Sequence, residues 1–400
     1  MGSTSADLAA PRIPRTIWVL GFVSLFTDMG SEIVHSLLPV MLAGSLGASA
    51  LMIGLIEGTA EALVLVTKVF SGYLSDALGR RKPLVLFGYG LAAVVKPLFP
   101  LAESVAAITT ARLLDRFGKG VRGAPRDALV GDLAPASMRG AAFGLRQSMD
   151  TVGAMLGPLL AVGLLWLTAD NVTLVLWAAV IPGFIAVALL ISVPEPKTAE
   201  HKPARLPITR AGLAHLGPHY WRLVALGGVI ALARFSEAFL VLRASGLGVP
   251  LTAIPLVLVV MSGVYALSAY PAGRLSDRRP RRHVLALGLF VLVIADGVLA
   301  MAAGPWMLFL GIALWGLHLG LTQGILASLV ADCSPADYRG TAFGVFSLVS
   351  GIGLLLASVV AGGLWEGLGP AATFLTGAAL SLFAGLWALR LPALSARPPC

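Results

Sequence analysis

Apolar windows of the length that crosses a bilayer, about 20 residues each, follow one another along the whole chain with only short polar turns between them. A sequence so patterned has no soluble solution. At 57% hydrophobic and 12% charged residues with a mean hydropathy of +0.88, one or two soluble domains are excluded. The windows place helices near 16–43, 51–74, 82–102, 104–131, 140–167 and 172–193, then near 222–243, 252–272, 283–303, 305–331, 341–365 and 371–391. The expected fold is an all-α polytopic membrane protein with 12 transmembrane helices in two six-helix bundles. The net charge of +9 arises in loops between spans, so no nucleic-acid partner is expected; the lipid bilayer is the expected surroundings. Two cysteines, Cys333 and Cys400, provide no disulfide framework. The first apolar segment carries Asp28 and Glu32, unlike a signal-peptide core, so it is expected to be retained as a span.

An even number of spans puts both termini on one side. Lys and Arg crowd the termini and alternate loops, leaving only Arg243 on the opposite side, so both termini are expected in the cytoplasm of a cell (inner) membrane protein. The one long polar stretch, residues 194–221, divides the spans six and six. The domains are thus a cytoplasmic N-terminus 1–15, a bundle 16–193, a cytoplasmic linker 194–221, a bundle 222–391 and a cytoplasmic tail 392–400. Shifting the chain by 200 lays VGDLAPASMRGAAFG (130–144) on VADCSPADYRGTAFG (330–344), with nine of fifteen residues identical. A shift of 201 lays GYLSD (72–76) on GRLSD (273–277), so the halves read as parallel repeats.

The fourth window is the anomaly. Arg112 to Asp127 holds seven ionisable residues in sixteen, yet it occupies the slot of a span. At about 100° per residue, Arg112, Asp115, Arg116, Lys119, Arg122 and Arg126 share one arc, with Leu113, Leu114, Gly118, Val121 and Ala128 covering the rest. Charges at membrane depth face a watery cavity or a partner inside the bundle, so this helix is expected to line a polar pathway.

Carboxylates stand ready elsewhere in the first half. Asp28, Glu32 and His35 share a face of span 1, as do Glu57, Glu61 and Lys68 on span 2, while Arg146 and Asp150 lie one turn apart on span 5. Two readings of the acids stand side by side: proton carriers, or permanent partners of the span 4 arginines. For Arg146 and Asp150 a simple ion pair is expected. The second half is drier, with Arg234, Glu237 and Asp296 as its embedded charges and His318, Thr322 and Gln323 as polar additions. Coupling is therefore assigned to the first half and apolar shape selection to the second.

The loop after span 2, Gly72-Tyr-Leu-Ser-Asp76-Ala-Leu-Gly79-Arg80-Arg81-Lys82, resembles the signature loop of the major facilitator superfamily, with a degraded echo from Gly273 through Asp277 to His283. Span 4 is similar to the family's R-x-x-Q-G pattern at Arg116-Phe-Gly-Lys119-Gly120, with Lys in place of Gln. Span 5, with Gly144, Gly153, Gly157 and Pro158, resembles the proton-coupled 12-span exporters, though Ala161-Val162 stands where they have Gly-Gly. The resemblance covers the whole chain. It implies alternating access with a midplane site between the halves, a cytoplasmic gate at the Asp76 loop, Arg116 as the buried arginine associated with proton coupling, and a span 5 bend shaping the interface between halves.

The expected function is secondary transport of a small-molecule substrate, with protons as the coupling partner, export as the direction and a monomer as the working unit. The alternatives are a proton-linked importer of an organic anion and a transporter-like sensor without flux. The sequence offers no nucleotide-binding loop, His/Cys metal cluster or nucleophile elbow, so no catalytic residue, metal or cofactor is assigned and no enzyme is expected.

Overall fold

The structure is a computed structural model that describes residues 13–135, 138–195, 213, 215–334 and 338–390; the side chains of Arg139, Gly140, Asp277, Arg339 and Gly340 fall outside the description. Most of the expected linker and tails lie outside the described residues. The rest is helical: α1 (Arg15–Val40), α2 (Ala50–Leu78), α3 (Lys82–Leu101), α4 (Val105–Leu133), α5 (Arg139–Leu167), α6 (Val172–Ile191), α7 (Pro218–Gly246), α8 (Leu256–Arg278), α9 (Arg281–Met301), α10 (Pro305–Asp332), α11 (Arg339–Leu368) and α12 (Pro370–Arg390). Among the described residues, eleven helices are long and apolar enough to cross a membrane. The exception is α4, whose 29 residues give the length but whose charges break the apolar run.

Local chemistry sets the ends. Ser49 accepts the Met52 N–H at 3.2 Å to start α2, and Gly79 ends it at φ +62°, a left-handed conformation that glycine adopts without a Cβ clash. Ser104 starts α4 in the same way, accepting from the Ala107 N–H at 3.2 Å. The windows placed these ends to within a few residues but missed breaks inside spans. α3 is interrupted at Lys96–Pro97, and α7 is helical at Pro218–Ala233 and again at Ala238–Gly246, with residues 234–237 outside either helix.

Packing follows the repeat. α1 lies on α5, α4 lies between α2 and α3, α10 lies against α8 and α9, and α12 lies on α9. The halves meet chiefly where α2 packs on α11, with α5 on α8 as a second seam. A Cβ at Gly54 would fall 2.2 Å from the Ser358 carbonyl oxygen, so the α2–α11 backbones touch there as only small residues allow. Beyond it, Glu366 of α11 accepts the Leu51 N–H at 2.7 Å, capping α2 from the other half.

The buried apolar residues show where the halves join. One cluster, including Ile33, Leu37, Ile53, Phe239, Leu258 and Trp315, draws on both halves. At the opposite end the core divides: Ile17, Leu20, Val85 and Leu129 belong to a cluster of the first half, and Leu223, Leu289 and Leu326 to one of the second. The molecule is closed at the Gly54–Glu366 end and separated at the end carrying Arg81. At that separated end a cavity of about 300 Å³ is lined by Tyr265, Gly273, Arg281 and Gly324 among others.

Candidate coupling and gating sites

α4 reaches its neighbours through small residues, which brings its long charged side chains to acids two helices away. A Cβ at Gly118 would stand 2.8 Å from the Gly88 carbonyl oxygen, so α3 and α4 approach at backbone contact. The arginines are then enclosed. Arg112 Nη2 donates to Glu57 Oε2 at 2.5 Å with both side chains 1% exposed, and Arg116 Nη1 lies 3.6 Å from Glu61 Oε1. His35 joins the group, with Nδ1 3.2 Å from Glu32 and Nε2 3.8 Å from Glu57.

Of the two surroundings expected for these charges, a watery cavity or a partner inside the bundle, Arg112 and Arg116 have the partner. Each is 1% exposed, so in this conformation they hold acids rather than line a water-filled path. The arc of charges also splits in two. Asp115 turns to α3, where Lys96 Nζ lies 3.5 Å away and also donates to Ser31 Oγ at 3.1 Å. Arg122 stacks on Tyr89 of α3 at 4.5 Å from the ring centroid. Of the face expected to be apolar, Leu114 is exposed, but Gly118 and Val121 are buried. The helix is packed on more sides than a single cationic face implied.

Lys119 differs from the arginines. It is half-buried, and among the described residues it makes no ion pair within 4 Å, yet it stands in the electrostatic field of Asp28, Glu32, Glu61 and Asp150. Asp28 of α1 and Asp150 of α5 stand in each other's electrostatic field. Nearer the Arg81 end, Arg126 and Arg146 each approach Asp150 at 3.7 Å, and Arg146 also donates to Gln147 at 2.6 Å. Lys68 of α2 reaches Asp127 at 3.7 Å, tying α2 to this second cluster.

Sequence reasoning gave no site role to three residues here, one of which, Lys96, it did not single out at all. Lys96 is buried at the α3 interruption; its signal was a lone cation fourteen residues into an apolar run, next to Pro97. Arg234 and Glu237 flank the break in α7, and Glu237 lies in the field of His35, Glu32 and Glu61 of the first half. No glycine or proline marks Ala233-Arg-Phe-Ser-Glu-Ala238 as a break, so only the charges themselves pointed there.

The Arg81 loop is a clamp within the first half. Arg81 contacts Asp76, donates to Ser75 Oγ at 2.9 Å and to Asp132 at 3.4 Å, and its backbone N–H donates to Glu195 at 2.7 Å. Partial burial opposes the guanidinium charge, but Asp76 and Asp132 outweigh it and hold the group above its ordinary range. Gly72 sits against Ala124 of α4, with 3.2 Å between the two Cβ positions, and Arg80 is exposed. In the second half, Arg281 contacts Asp332, the same pairing 200 residues on. Gly273 has nothing within 4 Å of a Cβ, so close approach applies to Gly72 alone; the Asp277 side chain lies outside the described residues.

The α5 glycines allow close helix packing. Cβ atoms at Gly153 and Gly157 would fall 2.3 Å from the Leu25 carbonyl oxygen and 2.5 Å from that of Met29, both on α1. Their partner is in the same half, not across the interface. Gly144 has open space at its Cβ, and Pro158 lies inside a helix that continues to Leu167.

Two like halves of long apolar helices, joined at one end and carrying ion pairs inside the first, have the plan of a membrane solute transporter. A sequence model of the Major Facilitator Superfamily matches residues 20–244 and 225–399, and the chain belongs to that family. It is 34% identical to an uncharacterized MFS-type transporter of Methanocaldococcus jannaschii over 94% of both chains. It is 27% identical to the inner membrane transport protein YajR of Escherichia coli, over 92% of this chain and 81% of that one. It is 24% identical to the multidrug resistance protein MdtH of Escherichia coli, over 86% and 85%. Among solved structures, the fold is similar to that of a peptide transporter POT, at a TM-score of 0.77 and 16% identity over 94% of each chain. The protein is a multi-span membrane transporter that moves a solute across the bilayer.

Proposed function

We propose that this transporter exports a small organic solute in exchange for protons, working as a monomer in the cytoplasmic (inner) membrane. Twelve spans carry the cycle, in halves 16–193 and 222–391, with the tails 1–15 and 392–400 and the linker 194–221 in the cytoplasm. α4 is the twelfth span: its length matches its neighbours, and its cations are met by acids and by Tyr89 rather than by lipid. With that topology the closed Gly54–Glu366 end faces outward and the separated Arg81 end faces the cytosol. The Arg81 loop acts as the cytoplasmic gate.

The observation that carries the reading is the gathering of Asp28, Glu32, Glu61 and Asp150, from three helices, around the half-buried Lys119, which among the described residues makes no ion pair within 4 Å. Acids crowded in a dry site resist ionising together, so one of them is suited to carry a proton. The Lys119 charge is then available to compete with that proton as the cluster changes state. Glu237 brings the second half into the same field, which links protonation to the separation of the halves. Similarity to MdtH supports export.

A vesicle assay tests both coupling and direction, whatever the orientation of the protein. Vesicles with an acidic interior should accumulate solute through exchange for departing protons, and those with an acidic exterior should not. Lipophilic drugs and organic acids are the first solutes to screen. Accumulation only with an acidic exterior would replace the exporter with an importer of an organic anion, for which Lys119 supplies the unpaired charge. A gradient without effect on any solute would remove proton coupling.

A further inference from the structure

Asp296 lies outside the sites described so far. It is 0% exposed on α9, in the half assigned to apolar contacts. Trp315 Nε1 donates to its Oδ1 at 3.1 Å, while Oδ2 has no hydrogen-bond partner and no cation lies within ion-pairing distance among the described residues. The repeat makes this deficit informative. Two hundred residues earlier the same helix–helix contact is Lys96 with Asp115, a cation facing an acid at 3.5 Å. In the second half the lysine has become the acid, and the acid has become an indole. The position kept its polarity and lost its counter-charge.

The surroundings specify what Oδ2 needs. A Cβ at Gly377 of α12 would stand 2.7 Å from Oδ2 and 3.3 Å from the Ala233 carbonyl oxygen, so both oxygens border one small space. The first α7 segment ends at Ala233 and the Ser236 N–H donates to Ser358 Oγ at 3.1 Å rather than back along the helix, which leaves the Ala233 carbonyl at the free end of the helical ladder. Two acceptors at one dry point call for a donor between them. The charged or titratable groups on the packing helices are His318 of α10, whose Nδ1 is 2.8 Å from the Gly288 carbonyl, and Arg234 and Glu237 at the α7 break; around Gly377, α12 carries the hydroxyls of Thr373, Thr376 and Ser381.

We propose that Asp296 is a second proton-binding site, in the carboxy-terminal half, filled and sealed in this conformation. The proton sits on Oδ2 as the hydroxyl of a neutral carboxylic acid, facing the freed end of the first α7 segment. It is taken from water and returned to water when α7 and α12 part from α9, so occupancy follows the geometry of the α7 break. This goes beyond the acid cluster of the first half, and its coupling role alone rests on the proton-driven reading.

Infrared spectroscopy of the purified protein in lipid reads the proton directly, without any substrate. Wild type should show a protonated-carboxyl carbonyl band at neutral pH that Asp296→Asn removes, and Gly377→Ala, which presses a methyl on Oδ2, should shift it. Asparagine keeps the shape and the acceptor for Trp315, so the fold should survive; a thermal melt matching wild type checks this. In vesicles, Asp296→Asn should flatten the pH dependence of gradient-driven accumulation. A spectrum unchanged by Asp296→Asn overturns the site. A lost band with an unaltered pH profile overturns its part in coupling while leaving the exporter reading intact.

Discussion

The helix pairs α3–α4 and α9–α10 share one backbone design and differ in chemistry. Arg81 meets Asp132 as Arg281 meets Asp332, and Lys96 meets Asp115 as Asp296 meets Trp315, each at an offset of 200. Gly120 presses on Thr67 of α2 as Gly320 presses on Ser268 of α8. Along the inward face, however, Arg112, Arg116 and Lys119 of α4 stand where α10 has Ile312, Gly316 and Leu319. The second half forms the same helix contacts without those charges, so the fold does not require them. What they supply is fixed ion pairing at Arg112 and Arg116 and, among the described residues, a charge at Lys119 with no ion pair within 4 Å.

The comparison breaks most sharply at Arg112. Arg112→Met leaves Glu57 buried without its cation, and losing one partner of a buried pair costs about 3–5 kcal/mol. The matching change in the second half, Ile312→Val, removes one methylene from a packed site and should cost about 0.5–1.5 kcal/mol. Unfolding in detergent should rank them in that order, and the double variant Glu57→Leu with Arg112→Met should recover much of the loss. Equal costs at 112 and 312, or a double variant no better than the single, would mean that the pair does not hold the first half together.

Long apolar runs made the spans, the repeat and the midpoint of the chain legible in the sequence, because hydrocarbon demands length and apolarity that no other environment imposes. The α7 break was not legible. Its segment Arg234–Glu237 lacks glycine and proline, and its cause is tertiary: the Ser236 N–H finds Ser358 Oγ of α11 at 3.1 Å instead of a helical carbonyl. On α4, periodicity correctly gathered the charges and left two surroundings open, water or a partner in the bundle. It could not tell a cation that meets water from one that meets a carboxylate, since Glu57 is distant in sequence from Arg112. Lys96 escaped for the opposite reason, as a single charge with no periodic companions.

Smaller effects should separate the two loop clamps. Ion pairs at exposed ends are worth about 0–1 kcal/mol, so neither Arg81→Gln nor Arg281→Gln should unfold the protein. Arg81 nevertheless ties the end of α2 to Asp132 at the end of α4 and, through its backbone, to Glu195 beyond α6, whereas the contact described for Arg281 is with Asp332. Transport in vesicles should slow more with Arg81→Gln than with Arg281→Gln. Equal slowing would indicate that both clamps work alike despite the degraded second loop.

The least destabilising change should be the most informative about function. Lys119→Gln breaks no ion pair within 4 Å, so its effect on unfolding should stay within about 0.5 kcal/mol, the range of substitutions that remove no specific contact. Four acids nevertheless lose a shared counter-charge. Accumulation driven by a pH gradient should fall away, while exchange of solute at equal pH continues, because exchange requires the halves to move but no proton to be carried. Accessibility gives an independent check. With Cys333 and Cys400 replaced by serine, Lys119→Cys should react with a water-soluble thiol reagent, as a half-buried position allows. Arg116→Cys, 1% exposed in the parent structure, should react far more slowly in vesicles that retain folded protein. Uphill transport that survives Lys119→Gln would return Lys119 to the structural class of Arg112 and Arg116. Labelling at 116 as fast as at 119 would mean that the enclosed arginines open to water during the cycle, and the distinction between fixed and free charges on α4 would then be one of time rather than of place.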